Sequence, residues 1–194
     1  WQTPAVKNMR CFVSVDLPSS IADAVATLQR PLESLAGVRL TDPTQAHITL
    51  YFLGDVDPDR TDAITQALRS AVASADIAPF DCTVGGLGVF PSVEYISVIW
   101  AGVRCGDGEK PLSTLAAAVE AELTALGFDP ADHDFTPHIT LARMDDARSK
   151  QRVQQLVTET DPTAGTFRVD SIRLTESTLT DDGPVYETVS ERRL

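Results

Sequence analysis

His47-Ile48-Thr49-Leu50-Tyr51-Phe52-Leu53-Gly54 and Pro137-His138-Ile139-Thr140-Leu141-Ala142-Arg143 carry the same tetrad, His-Ile-Thr-Leu, at positions 91 residues apart in a chain of 194. Only three histidines occur in the whole sequence, so two of them sit inside the repeat. In an extended strand alternate side chains share a face. His and Thr of each copy therefore point one way, and Ile and Leu the other. Two such strands brought together would present two imidazoles and two hydroxyls on one surface, with the aliphatic pairs anchored beneath. A histidine near its ordinary pKa can be neutral while its neighbour is protonated, so the pair can serve as general base and general acid. Thr49 and Thr140 would add hydroxyl donors for the non-bridging oxygens of a phosphodiester.

Outward from the repeat, the chain reads as two similar halves. Arg10 to Leu17 alternates as a strand and stops at Pro18. Ser19-Ser20 precedes a helical pattern of Ile21, Val25, Leu28, Leu32 and Leu35, closed by Gly37. Thr44 to Leu53 is the first motif strand, and Asp59 to Ala75 a helix. Phe80 to Val89 and Val93 to Val103 form a strand pair around Pro91, with Gly85-Gly86 marking a bulge. Pro111 to Leu126 is a helix, with Pro in its first turn and Gly127 at its end. Phe135 to Arg143 is the second motif strand, Asp145 to Thr158 a helix, and Phe167 to Ser177 and Val185 to Glu191 closing strands. Strands mixed with helices in this way define an α+β or α/β sandwich. The half-chain spacing of the tetrads predicts a pseudo-twofold, bilobal molecule with the motifs meeting at a central groove.

Several classes of function are disfavoured. No stretch has the length of a membrane span. No His-Glu-x-x-His or Cys-x-x-Cys pattern is present, and a zinc site would need a third ligand that His133, in a polar loop, is poorly placed to give. No Gly-x-Ser-x-Gly elbow appears. The expectation is an activity with no metal and no cofactor. Cys11, Cys82 and Cys105 show no paired spacing, and their odd count argues against a disulfide framework; Cys11 and Cys82, in apolar runs, read as buried thiols, and the setting as reducing and cytoplasmic. The net charge is −12, with Lys only at Lys7, Lys110 and Lys150 and Asp well in excess of Glu. Such a surface suits solubility at high salt. It lacks the basic patch of a protein that grips nucleic acid along its backbone, so contact with RNA would be confined to an end or a small fragment. Residues 1–8 are expected to stand outside the fold, as an upstream extension or cloning remnant, with residues 9–194 forming one bilobal domain that acts as a monomer.

Three further residues are candidates for the groove. Arg143 suits a phosphate, although regular alternation would point it with Ile139 and Leu141, away from His138; only a strand end or bulge would swing it round. Tyr51 shares the parity of His47 and Thr49 and could line the groove, whereas Phe52 and Trp100 read as core. Phe90 could stack a base at the groove rim.

The tetrads, the opening segment Met9-Arg10-Cys11-Phe12-Val13-Ser14-Val15-Asp16-Leu17-Pro18 and the extended motif segments together resemble the 2H phosphoesterase superfamily, in its RNA 2′,3′-cyclic phosphodiesterase (2′-5′ RNA ligase) branch. The resemblance spans nearly all of residues 9–194. It implies two antiparallel sheets facing a central groove with helices outside. It also implies metal-independent hydrolysis of a terminal 2′,3′-cyclic phosphate, on RNA ends or small cyclic nucleotides, to a 2′-phosphate. By the family pattern His47 would be the proton donor and His138 the base; the near-symmetric motif itself leaves the two roles open. Joining of 2′-5′ ends and non-catalytic nucleotide binding are the alternative activities.

Overall fold

Pro18 and the apolar alternation ahead of it set the first element. The computed structural model, which describes residues 7–105 and 110–194, forms β1 from Met9–Asp16 and stops it short of Pro18. Among the expected extension, residues 1–6 lie outside the described residues, and residues 7–8 belong to neither helix nor strand. The helix α1 (Ser19–Gln29) buries Ile21 and Val25. It gives way to a 3₁₀ turn at Arg30–Leu32, earlier than the apolar pattern suggests, because Pro31 has no N–H to continue the ladder. Ser19 and Ser20 lie within its first turn, with Pro18 in the capping position.

The remaining elements follow in order: β2 (Val38–Leu40), β3 (His47–Val56), α2 (Thr61–Ala75), β4 (Phe80–Pro91), β5 (Ile96–Arg104), α3 (Lys110–Ala125), β6 (His138–Met144), α4 (Lys150–Glu159), β7 (Thr163–Val169), β8 (Ser171–Thr180) and β9 (Gly183–Arg193). The short β2 lies outside the strands expected from alternation, and the strand expected over Phe167 to Ser177 is divided between the end of β7 and β8. Val38–Leu40 is too brief to show a period, and Asp170 separates β7 from β8 within what reads as one apolar run.

All strand pairing is antiparallel, in two sheets ordered β3-β1-β8-β9 and β2-β6-β5-β4-β7. The architecture is thus α+β and bilobal, but the lobes are not the two halves of the chain. The last two strands complete the sheet begun by β1 and β3, while β2 crosses over to the edge of the second sheet. Helices α2 and α3 pack on each other and against β9 and β3; α1 and α4 lie against β6, β7 and β4. Between helices and sheets sit Val13, Val15, Ile48, Ile64, Leu68, Leu115, Val119, Ile139, Leu141, Ile172 and Leu174, each 2% exposed or less. Burying a side chain of this size contributes about 1.5–3 kcal/mol, so these positions hold the lobes together. None of the described helices is long and apolar enough to cross a membrane.

One expectation is overturned at the β4–β5 pair. Cys82 and Cys105 are joined in a disulfide, and Cys11 alone among the three is a free, buried thiol. The cause is a bulge at Gly85-Gly86. The β4–β5 register steps from Leu87↔Ala101 to Val84↔Val103, with two residues of β4 facing one of β5. That step, helped by the positive φ of Gly86 (76°), brings Cys82 opposite Cys105. Without it they would lie one residue out of register.

Candidate active site

Each motif histidine is the first residue of its strand, His47 on β3 and His138 on β6. Ile48 and Ile139, at 1% and 0% exposure, anchor the strands from below. Just upstream of each, the chain offers a carbonyl to the ring: His47 Nδ1 lies 3.0 Å from the Gln45 carbonyl oxygen, and His138 Nδ1 2.7 Å from that of Thr136. A carbonyl only accepts, so Nδ1 carries the hydrogen in both rings. Nε2 of each is then the atom that takes or gives a proton.

Both motif strands contain a bulge at the same place. Against β1, the register of β3 jumps between Thr49↔Ser14 and Tyr51↔Val13, so Leu50 is the extra residue. Against β5, that of β6 jumps between Thr140↔Trp100 and Ala142↔Ile99, so Leu141 is the extra residue. A bulge inverts the alternation beyond it. Tyr51 and Ala142 are accordingly buried, and Phe52 and Arg143, which occupy equivalent positions, are exposed on the side of the histidines. Tyr51 is thereby removed from the groove: it is 5% exposed, and its hydroxyl donates to the carbonyl oxygen of Asp129. Phe52, expected in the core, is 53% exposed instead. Arg143 is exposed on the face of β6 that carries His138 and Thr140, and its charge favours ionisation of the Tyr186 phenol.

Aromatic rings flank each imidazole. Phe12 and Tyr186 lie 4.8 and 5.0 Å from His47 between ring centroids. Phe90 and Trp100 lie 4.9 and 5.9 Å from His138. Trp100, opposite Thr140 in the ladder, therefore belongs to the groove face and not to the core. Gly88 makes room for it, since a Cβ there would collide with the indole ring. Phe90 lies edge-on to His138, beside the ring. Thr49 and Thr140 are half-buried next to their histidines. His133 is an exposed loop residue.

The lining residues that alternation alone does not single out are Phe12, Ser14 and Asp16 of β1, Thr175 of β8 and Tyr186 of β9. The even-numbered positions of β1 share one face and could have been grouped with His47. Tyr186 could not: it reaches His47 because the first sheet curls, bringing the Tyr186 N–H to the Gln45 side-chain oxygen at 3.2 Å across the open edges of β9 and β3. The curl encloses a cavity of about 130 Å³ beside His47, with Ser14, Asp16, Thr175 and Thr188 among its lining residues.

The electrostatics of the two rings differ. Burial holds both imidazoles below the ordinary histidine pKa, and the carbonyl bond to Nδ1 partly offsets it in each. Beyond that, the Asp16 carboxylate favours a proton on His47, whereas a charge on His47 disfavours one on His138. The pair thus holds one proton more readily than two. Among the described residues no group of three or more His, Cys, Asp or Glu side chains is gathered to hold a metal ion.

This fold, two antiparallel sheets with a histidine-bearing strand from each beside a groove, is that of the 2H phosphoesterases. The 2′-5′ RNA ligase superfamily model matches residues 17–181. The RNA 2′,3′-cyclic phosphodiesterase of Methanothermobacter thermautotrophicus is 32% identical over 96% of this chain and 100% of its own length. That of Aeropyrum pernix is 37% identical over 86% of the chain and 94% of its own length. Among solved structures, TT0787 of Thermus thermophilus superimposes with a TM-score of 0.78 at 27% identity, over 96% of this chain and 98% of its own. LigT of E. coli superimposes at 0.74 with 22% identity, over 97% and 98%. The chain belongs to the 2′-5′ RNA ligase superfamily, in its RNA 2′,3′-cyclic phosphodiesterase family of enzymes.

Proposed function

We propose that the protein hydrolyses the terminal 2′,3′-cyclic phosphate of RNA, or of a small cyclic nucleotide, to a 2′-phosphate, with two histidines and no metal. Neutral His138 takes a proton from water through Nε2 as the water oxygen bonds to phosphorus. The bond from phosphorus to the 3′ oxygen breaks, and that oxygen receives the Nε2 proton of His47. The electron pair of the broken bond thus ends as a hydroxyl, the pair finishes with its proton exchanged, and solvent resets it. Thr49, Thr140 and Arg143 bind the non-bridging oxygens, whose charge grows little but must be held in place. The observation that carries this reading is the matched anchoring of both Nδ1 atoms, which leaves two Nε2 atoms to share one proton.

The binding mode is that of an RNA end and not of a long tract. The chain has 16 cations against 28 acids, and the cation proposed to touch phosphate is a single arginine. We read the active species as a monomer. A cytoplasmic setting rests on this substrate and not on the cysteines, since Cys82 and Cys105 are bonded to each other.

The test is incubation with a nucleoside 2′,3′-cyclic phosphate and with a cyclic-phosphate-ended oligonucleotide, in EDTA, with and without a 5′-hydroxyl RNA. The expected product is the 2′-phosphomonoester, unaffected by chelation. A longer, 2′-5′-linked product in its place would assign ligation. Binding without turnover would reduce the protein to a nucleotide-binding module.

A further inference from the structure

The two motifs are near copies, yet their cross-strand neighbours are not. His47 stands opposite Asp16 in the β1–β3 ladder, whereas His138 stands opposite Gly102 in the β5–β6 ladder. The Gly102 position has no room for an acid: a Cβ there would come 2.6 Å from the Gly85 carbonyl oxygen. Directly opposed residues in an antiparallel pair have Cβ atoms about 4.5–5.5 Å apart, within reach of charge acting through space. Asp16 does not bond the imidazole, whose Nδ1 is taken by Gln45. Its carboxylate is instead fixed by Arg173, with Nη1 2.5 Å from Oδ2, and by the Ser14 hydroxyl, 3.4 Å from Oδ1. Ser14 is in turn tied to the Thr175 hydroxyl at 3.0 Å, and Asp16 and His47 line the same cavity.

Resting on the hydrolase reading, we propose that Asp16 is a positioning residue that acts through His47: it keeps the proton shared by the two histidines on His47 and so fixes the direction of proton transfer across the groove. Other charges bear on His47 from each neighbouring element. Arg173 on β8 opposes Asp16 and is itself partly balanced by Glu191 of β9, 3.9 Å away. Tyr186 on β9 is held neutral, since burial pushes its phenol up despite the charge of Arg143. His138 on β6 resists a second proton while His47 carries the first. Asp16 is thus the carboxylate that breaks the symmetry, and it does so on one side only.

The test follows the imidazole Cε1–H signals by NMR against pH in the wild type, Asp16→Asn, Asp16→Glu and Arg173→Met. Loss of the carboxylate should lower the His47 midpoint by about 0.5–1 pH unit, a value moderated by the partial exposure of Asp16. His138 should move less and upward, because its neighbour is charged less often. The alkaline limb of kcat/KM, where the acid loses its proton, should shift to lower pH by the same amount. At pH above both midpoints that is about a three- to tenfold loss of rate. Asp16→Glu should restore both readings, and Arg173→Met should move His47 the other way. Wild-type-like His47 titration in folded Asp16→Asn, or equal shifts of both histidines, would overturn the proposal. Should Asp16→Asn not fold, an unmoved or downward His47 midpoint in Arg173→Met would do so. The titrations need no turnover, so an inactive wild type would remove the hydrolase reading while leaving the role of Asp16 decided by the NMR shifts.

Discussion

Arg143 shows how a single extra residue decides what a side chain can do. In a regular strand it would follow Ile139 and Leu141 into the core face, where an unpaired guanidinium would carry a heavy desolvation cost. The bulge at Leu141 places it in solvent on the side of His138 and Thr140. Its counterpart in the first motif is Phe52, which stacks with Phe12 at 6.5 Å and lies under the Arg10 guanidinium at 5.3 Å. The groove is therefore pseudo-symmetric in backbone and asymmetric in chemistry, with a phenyl ring at the position after one bulge and a guanidinium at the equivalent position after the other. Hydrogen bonds to a charged partner contribute about 1.5–3 kcal/mol. Arg143→Ala should accordingly lower kcat/KM by roughly 10- to 100-fold, chiefly through KM, with little change in Tm, because the side chain is exposed. Unchanged kinetic constants would place the guanidinium outside the phosphate site.

The elements were legible where a period was long enough to be seen. The tetrads, the strand β1 and the helices α2 and α3 follow directly from spacing and from their Pro and Gly boundaries. What alternation alone does not settle is the point at which it breaks. The bulges at Leu50 and Leu141 leave no mark in composition, so Tyr51 and Phe52 exchange the faces expected of them, while Arg143 takes the one expectation that required a bulge. Glycines mark the bulge at Gly85-Gly86, but its consequence, the apposition of Cys82 and Cys105, follows only from the pairing register. Counting cysteines cannot reveal a bond that a one-residue step creates. The structure predicts one reactive thiol in denatured, unreduced protein and three after reduction. Within the folded protein Cys11 should react slowly, since burial raises its thiol to about 11. Three thiols without reductant would contradict the pairing.

At the scale of the molecule, the lobes are built by exchange. The final hairpin β8–β9 closes the sheet that carries His47, and β2 extends the sheet that carries His138, so neither half of the chain contains a whole lobe. The curl of the first sheet is what delivers Tyr186, from the end of the chain, to a histidine near its beginning. Such long-range placement lies beyond any local pattern, which is why the cavity beside His47 was invisible while the two histidines were evident. The acidic surface is compatible with the proposed binding of an RNA end through one phosphate: at physiological salt, exposed charges farther apart than about 8 Å are largely screened. The proposed mechanism makes the two histidines one acid–base unit. Its most direct measurement is kcat on a nucleoside 2′,3′-cyclic phosphate for His47→Ala, His138→Ala and the double variant, with Tm recorded alongside. Each single variant should lose about 10²–10⁴-fold, and the double should fall little further, because either loss disables the same step. A folded single variant that retains near wild-type kcat, or losses that multiply fully in the double variant, would mean that the two histidines do not serve one step.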